Sequence, residues 1–425
     1  MKRKLYSLLI ALLIVVICFS SSACVKRVHA EDLMSGITAT QVTGKSIDNE
    51  FIGAHSAFSL NLFKECIKVD GGKNTLISPL SVSIALAMAT NGANAQTREQ
   101  MQSLLGGNIP IEILNEYLYT YVNSLPNGEK YKVNIANSIW LRNKENFKIN
   151  QSFLQTNANY YGAQIYKTNF DGQTVKDINN WVYNYTDGMI EKVVKEISEE
   201  TIAYVINALL FEAEWLEIYE HNQVRNGTFT THLGEEQQVK MMYSSEYGYV
   251  ETNESIGLIK KYKDAKYAFV ALLPNEGLSI SEFIANLTHE EFLAICLGDA
   301  RYSNKTYAKI PKFEYEYEIT FNEILKQMGM ADAFDPDIAD FTNLGIIESN
   351  LKENIYISNV LHKTHISVAE RGTKAGAVTV IEMNGATSPA PEEIKYVYLD
   401  RPFVYMIVDT ETYLPLFIGS VESVN

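Results

Sequence analysis

Catalysis needs a nucleophile beside a base, a ligand set for a metal, or a glycine-rich cradle for a phosphate, and this 425-residue sequence offers none at the required spacing. His362 and His365 are the only close pair among seven histidines. On a strand a spacing of three sends them to opposite faces, so they hold no common ion. His289-Glu290-Glu291 lacks a second histidine one helical turn on, and Gly71-Gly72-Lys73-Asn74 lacks both the upstream glycine and the hydroxyl residue of a phosphate loop. No Gly-x-Ser-x-Gly elbow and no Gly-x-Gly-x-x-Gly turn occurs. In the body of the chain, Cys66 and Cys296 are far apart and fit neither metal nor redox spacing, which leaves two buried thiols or a single disulfide. The expectation is a protein that is not an enzyme and needs no metal or cofactor.

The informative stretch runs from Leu361 to Val421. Within it Glu370-Arg371-Gly372-Thr373-Lys374-Ala375-Gly376-Ala377-Val378-Thr379 leads into a polar, proline-bearing run that ends near Glu393. Small residues in such a segment suggest a loop, yet a period of two runs through it. Thr373, Ala375, Ala377, Thr379, Ile381 and Met383 share one strand face, which is small or apolar and uncharged. Lys374, Gly376, Val378, Val380, Glu382 and Asn384 share the other. A segment that resembles a loop but is patterned as a half-buried strand has two states open to it.

The elements around this stretch belong to an α+β domain with more than one sheet. Ala54, Phe58, Leu62 and Cys66 recur every four residues and predict an amphipathic helix. Ser78-Pro79 supplies an N-cap and a proline at the first helical position, and Gly92 follows the last turn. The intervening Ile84 to Ala89 is apolar all round, so this helix should be central and buried. Val133 to Leu141, Tyr204 to Phe211 and Tyr267 to Leu273 read as strands. Phe313 to Ile319 alternates apolar residues with Glu314, Glu316 and Glu318. No Pro- or Gly-rich linker and no repeat divides the chain, which argues for one domain.

Lys2, Arg3 and Lys4 precede an apolar run from Leu8 to Phe19, too short to span a bilayer and suited to a secretory signal. Two processing sites compete, cleavage after Ala30 being the expectation and cleavage before Cys24 the alternative, since Ser21 stands where a lipobox usually carries Leu. Cleavage after Ala30 makes residues 1–30 the signal peptide and frees the protein. Cleavage before Cys24, in Ser21-Ser22-Ala23-Cys24, removes residues 1–23 and leaves Cys24 as a lipidated membrane anchor. Either way the expected location is outside the cell. The formal net charge is −15; loss of residues 1–30 removes five basic residues and no acidic ones and makes it −20. Such a carboxylate excess argues against a nucleic-acid partner.

Several segments, taken in order, resemble one family. They include Asn74-Thr75-Leu76-Ile77-Ser78-Pro79-Leu80-Ser81, Asn137-Ser138-Ile139-Trp140, Ile178-Asn179-Asn180-Trp181-Val182 and Asn207-Ala208-Leu209-Leu210-Phe211 to Trp215. Pro311-Lys312-Phe313, Met328-Gly329-Met330, Ala339-Asp340-Phe341, Arg401-Pro402-Phe403 and Leu416-Phe417-Ile418-Gly419 follow. All three tryptophans fall inside these segments, and the chain from about Ala54 to Val421 resembles a serpin. The resemblance implies an α+β serpin domain over residues 51–425, preceded by an extension at 31–50, with three β-sheets, eight to nine helices and an exposed reactive loop near the C-terminus. It further implies suicide inhibition of a target endopeptidase of the serine class, with the cysteine class as an alternative. The loop is cleaved, an acyl complex forms, and the freed loop inserts as a new strand in the central sheet.

Carried over residue by residue, the resemblance makes Glu370, Gly372, Thr373, Ala375, Gly376, Ala377 and Val378 the loop hinge and places the scissile bond between Ala386 and Thr387, with the bonds after Gly385 and after Thr387 as alternatives. Lys374 and Val378 depart from the usual acid and smaller residue. Ser78, Ser81, Asn207 and His362 match positions beneath the sheet where it parts, and Trp215 matches the point of entry. His362, whose charge changes near neutrality in water, could make that opening pH-sensitive. No Lys, Arg, Phe, Tyr or Trp occurs from Ala375 to Ile394, so the target should prefer small residues, as elastase-like or subtilisin-like proteases do. A monomer is expected. The alternative is a non-inhibitory serpin that acts as a surface binding or carrier protein.

Overall fold

A computed structural model describes residues 25–198, 201–296, 305–348, 354–373 and 394–424. Cys24 and, within the loop, Ala375, Gly376, Ala377, Val378, Ala386 and Thr387 lie outside the described residues.

Three helices set the frame. Helix α1 (Asn49–Asp70) is capped by Asp48, whose carboxylate accepts from the Glu50 and Phe51 amides. Helix α2 (Pro79–Thr90) starts at Ser78, whose hydroxyl accepts from Ser81 N, and every one of its residues is buried. Its composition explains this, because a helix apolar all round has no face to offer water. Helix α3 (Gly172–Tyr185) begins at a capping box made by Asp171 and Thr174.

The central sheet has seven strands, here labelled together with those of a third, smaller sheet. They are β1 (Glu31–Asp32), β2 (Tyr131–Arg142), β3 (Gln164–Thr168), β4 (Ala203–Glu214), β5 (Val224–Thr230), β6 (Glu236–Glu246), β7 (Thr306–Pro311), β8 (Phe313–Thr320), β9 (Asn359–Ala369), β10 (Gly372–Thr373) and β11 (Lys395–Tyr398). The central order is β1-β3-β2-β4-β10-β9-β8, and the third sheet runs β11-β7-β6-β5. A second sheet of six strands carries Tyr267–Pro274 and Phe403–Asp409 at its middle. A two-stranded ribbon of Phe147–Ile149 with Gly345–Ile347 is additional to the three expected sheets. Nine α-helices occur among the described residues.

Strand β9 alternates as its sequence dictates: Val360, His362, Thr364, Ile366 and Val368 are buried, and the residues between them turn outward. His362 and His365 therefore face opposite sides. On the outward side Lys363 pairs with Glu316 at 3.0 Å and Glu318 at 3.5 Å, and His365 with Glu314 at 3.1 Å. The inward face of the central sheet joins the main core around α2. The other face of β2 and β4 packs Trp140, Ile206 and Ala208 against Ile178, Trp181 and Val182 of α3. Cys66 and Cys296 are buried free thiols, and burial pushes both well above the ordinary cysteine range.

The chain ahead of α1 lies on this body. Strand β1 adds to the sheet edge by pairing Glu31 with Lys167 and Asp32 with Tyr166. Before it, Lys26 N donates to Asn184 Oδ1 at 2.8 Å and Asn184 Nδ2 donates back to Lys26 O at 2.7 Å. Asn180 Nδ2 donates to Arg27 O at 2.8 Å, and Val28 and Ala30 pack on the α3 cluster.

Candidate functional site

Strands β4 and β9 form a wedge. At one end they pair directly and in parallel, Tyr204 to Asn207 of β4 against Asn359 to His362 of β9. At the other end β10 lies between them, antiparallel to both, with Gly372 opposite Glu214 and Ala369, and Thr373 opposite Ala213 and Val368. Between the two ends, Ala208 to Phe211 pair on one side with β2 and Lys363 to Ser367 on one side with β8. The described residues supply no partner on their facing sides. Unpaired facing edges inside a sheet are the condition for adding a strand.

The open end is held by a compact set of contacts. After β9 the chain turns through Glu370 and Arg371, whose carbonyls accept from Tyr219 N at 2.9 Å and Trp215 N at 2.8 Å. The Trp215 indole donates to Ala369 O at 2.9 Å. Arg371 pairs with Glu214 at 2.9 Å, and Lys312 with Glu370 at 2.8 Å. These cations hold both carboxylates below their ordinary range against the opposing effect of partial burial. Gly372 has φ 155°, and a Cβ there would stand 1.9 Å from Ala213 O, so no larger residue fits the seam with β4. Thr373 is buried, and its hydroxyl bonds the Tyr262 hydroxyl at 2.6 Å. The Tyr262 ring in turn stacks on Trp215 at 4.4 Å. Thr373 thus takes the inward face that its place in the period-two pattern requires.

The closed end is a continuous hydrogen-bond chain. Ser78 N donates to His362 Nε2 at 3.1 Å, so that nitrogen is unprotonated and Nδ1 carries the proton it donates to Asn207 Oδ1 at 3.2 Å. Asn207 Nδ2 donates to Ser81 O at 2.9 Å and to Asn137 Oδ1 at 2.6 Å. The buried Ser81 hydroxyl has no partner among the described residues. Burial alone pulls His362 down to about 3. In this closed arrangement the ring is therefore neutral, fully desolvated and without a carboxylate facing it across the Ser78–Asn207 chain.

The structure thus gathers the proposed site residues into two groups. Glu370, Gly372, Thr373 and Trp215 meet at the open end, and Ser78, Ser81, Asn207 and His362 at the closed end. Ser78 fills two roles at once, as helix cap and as donor to His362. Tyr262, Lys312, Arg371 with Glu214, and Asn137 are site residues that sequence reasoning missed. Tyr262, Lys312, Glu214 and Asn137 lie on elements distant in sequence from the hinge, and Arg371, inside the hinge, shows its role only through its pairing with Glu214.

The profile of the family described as "Serpin (serine protease inhibitor)" matches residues 53–424. An uncharacterised serpin-like protein of Thermococcus kodakarensis is 28% identical over 402 residues, covering 92% of this chain and 90% of that one. Human Serpin B8 is 28% identical over 382 residues, covering 87% and 98% respectively. Among solved structures, the native state of the thermophilic serpin tengpin superposes with a TM-score of 0.87 at 47% identity, covering 93% of this chain and all of that one. Its latent state gives 0.79 at 44% identity, over 90% of this chain and all of that one. With the profile spanning nearly the whole described body and the wedge at its centre, the chain belongs to the serpin family.

Proposed function

We propose that this serpin is a suicide inhibitor of an extracellular serine endopeptidase, cleaved near Ala386–Thr387 by a protease that prefers small residues of the elastase or subtilisin kind. Serpins are in general protease inhibitors that act on target proteases, and one observation carries the narrower reading. The wedge between β4 and β9 already holds Gly372 and Thr373 in ladder register, with Thr373 on the buried face.

Continuing that register two residues at a time would set Ala375 opposite Phe211 and Ile366, Ala377 opposite Leu209 and Thr364, and Thr379 opposite Asn207 and His362. Every inward residue of the incoming strand would then be small or apolar. Insertion would add ladder bonds of roughly 1 kcal/mol net each, and burial of Ile381 and Met383 about 1.5–3 kcal/mol apiece. Passage beyond Ala377 would require the Asn207–His362 pairing to part. The unpartnered Ser81 hydroxyl lies at that level.

The same reading takes the protein outside the cell as a monomer, processed ahead of Cys24 and carrying lipid there. The bonds from Asn180 and Asn184 to Lys26 and Arg27 support this site over cleavage after Ala30, which would discard residues that dock on α3.

Incubation with an elastase and a subtilisin, followed by a denaturing gel, tests the function. A band at the summed mass is expected. Cleavage alone would point to a binding or carrier role instead.

A further inference from the structure

In a chain of net charge −15, one exposed face is cationic and aromatic. On the outer side of the third sheet, Tyr307 of β7 and Tyr396 of β11 stack with ring centroids 5.7 Å apart, 38% and 55% exposed. Lys305 Nζ lies 5.3 Å from the Tyr307 ring, and Lys309 Nζ lies 3.8 Å from that of Tyr398. Arg225 extends the face over Tyr243 at 5.6 Å. Among the described residues no carboxylate lies within ion-pairing distance of Lys305, Lys309 or Arg225. Ammonium groups held over ring faces keep their charge available to a partner.

We infer that this face is a secondary docking surface for an acidic rim of the protease held at the reactive loop, an inference that rests on the inhibitor reading above. Position is the first support. Strand β11 begins at Lys395, two residues beyond the loop's end near Glu393, and is fixed there by Lys395 N donating to Lys305 O at 3.0 Å. A partner gripped by the loop meets Tyr396 and Tyr307 next. Composition is the second. Half-exposed tyrosines and arginine are enriched at protein contacts, and the flanking lysines add the charge that steers an acidic partner. Overall charge is the third. An extended polyanion would run onto the acidic remainder of the surface, whereas a compact protein touches this face alone.

The test compares the full-length protein with Lys305→Glu/Lys309→Glu and with Tyr307→Ala/Tyr396→Ala, using an acidic and a basic member of the subtilisin class. For the acidic enzyme the association rate should fall steeply with added salt, and the charge reversal should lower it roughly tenfold at low salt and remove most of the salt dependence. The tyrosine variant should slow association at every salt concentration. Thermal midpoints and the ratio of covalent complex to cleaved product should stay as in the parent, because docking precedes loop chemistry. Equal rates for parent and charge-reversed protein, with covalent complexes formed by both, overturn the docking inference and leave the inhibitor reading standing. If the parent forms no covalent complex, both fall. Retention on a heparin column that the reversal abolishes, with protease rates unchanged, would assign the face to a polyanion and likewise overturn the inference.

Discussion

The Thr373 hydroxyl is hydrogen-bonded to the Tyr262 hydroxyl beneath the central sheet, at 2.6 Å. Thr373 belongs to the two-residue strand in the wedge and Tyr262 to the region of the second sheet, so one bond ties the start of the loop to the core. Thr373→Arg would put an unpaired charge at a site only 2% exposed. Such a charge costs several kcal/mol, and the chain would expel the strand rather than bury it. The variant should remain folded, be cut by elastase, and give no covalent complex on a denaturing gel; an undiminished complex band would contradict the role given to Thr373.

Gly372→Ala should have a related but milder effect. Its added carbon meets backbone, Ala213 O at 1.9 Å, and no side-chain rotation relieves the clash. Amide hydrogen exchange at Thr373 should accelerate strongly while β2 and β8 stay protected. Unchanged protection at Thr373 would show that the seam with β4 tolerates a Cβ.

At the closed end, His362→Ala removes the acceptor for Ser78 N–H and the donor to Asn207 Oδ1 and leaves both groups buried. Two unsatisfied groups at about 1–3 kcal/mol each should lower the stability of the uncleaved protein by roughly 2–6 kcal/mol. Denaturant unfolding measures this directly. A loss under about 1 kcal/mol would mean that water replaces the ring without cost.

Burial holds His362 near 3 and His55 near 4. Both values lie below the unfolded value near 6.5, so between those limits the unfolded chain binds more protons and each histidine destabilises the fold as pH falls. Glu422 acts in the opposite sense, because burial raises it to about 7 and its contribution is lost as pH rises from about 4.5. From pH 6.5 to 5 the two histidines outweigh the one glutamate, and stability should fall by about 1.5 kcal/mol over the whole interval, most steeply near pH 5. Inhibition rates, in contrast, should stay level from pH 5.5 to 8, since His362 does not change charge there.

Intact-mass measurement of the exported protein tests the processing proposal. A chain starting at Cys24 with added lipid mass is expected, and a start at Glu31 would contradict it. Replacing Asn180 and Asn184 with alanine should loosen residues 25–30 without disturbing the core.

Much of the site was legible in the sequence because its signals are local. Ser78-Pro79 announced the central helix, and the Phe313–Ile319 alternation, with Thr373 at the head of the loop pattern, announced which faces turn inward. The wedge was not legible, since it depends on β9 pairing with β4 at one end and yielding to β10 at the other, a matter of long-range register that no spacing encodes. Tyr262 and Lys312 escaped notice for the same reason. Residues 25–32 carry no periodic pattern, and their docking comes from asparagines some 150 positions away. The cationic tyrosine face joins β7 to β11, which are separated by more than 80 residues.

The most direct test of the account is the thermal stability of the protein before and after a single cut in the loop. If the wedge accepts the loop as a full strand, elastase cleavage should raise the unfolding temperature by tens of degrees, and denaturing gels of the same reaction should show the covalent complex, consistent with added ladder bonds and buried apolar residues. Cleavage that leaves the unfolding temperature where it was, with no complex, would contradict the central claim.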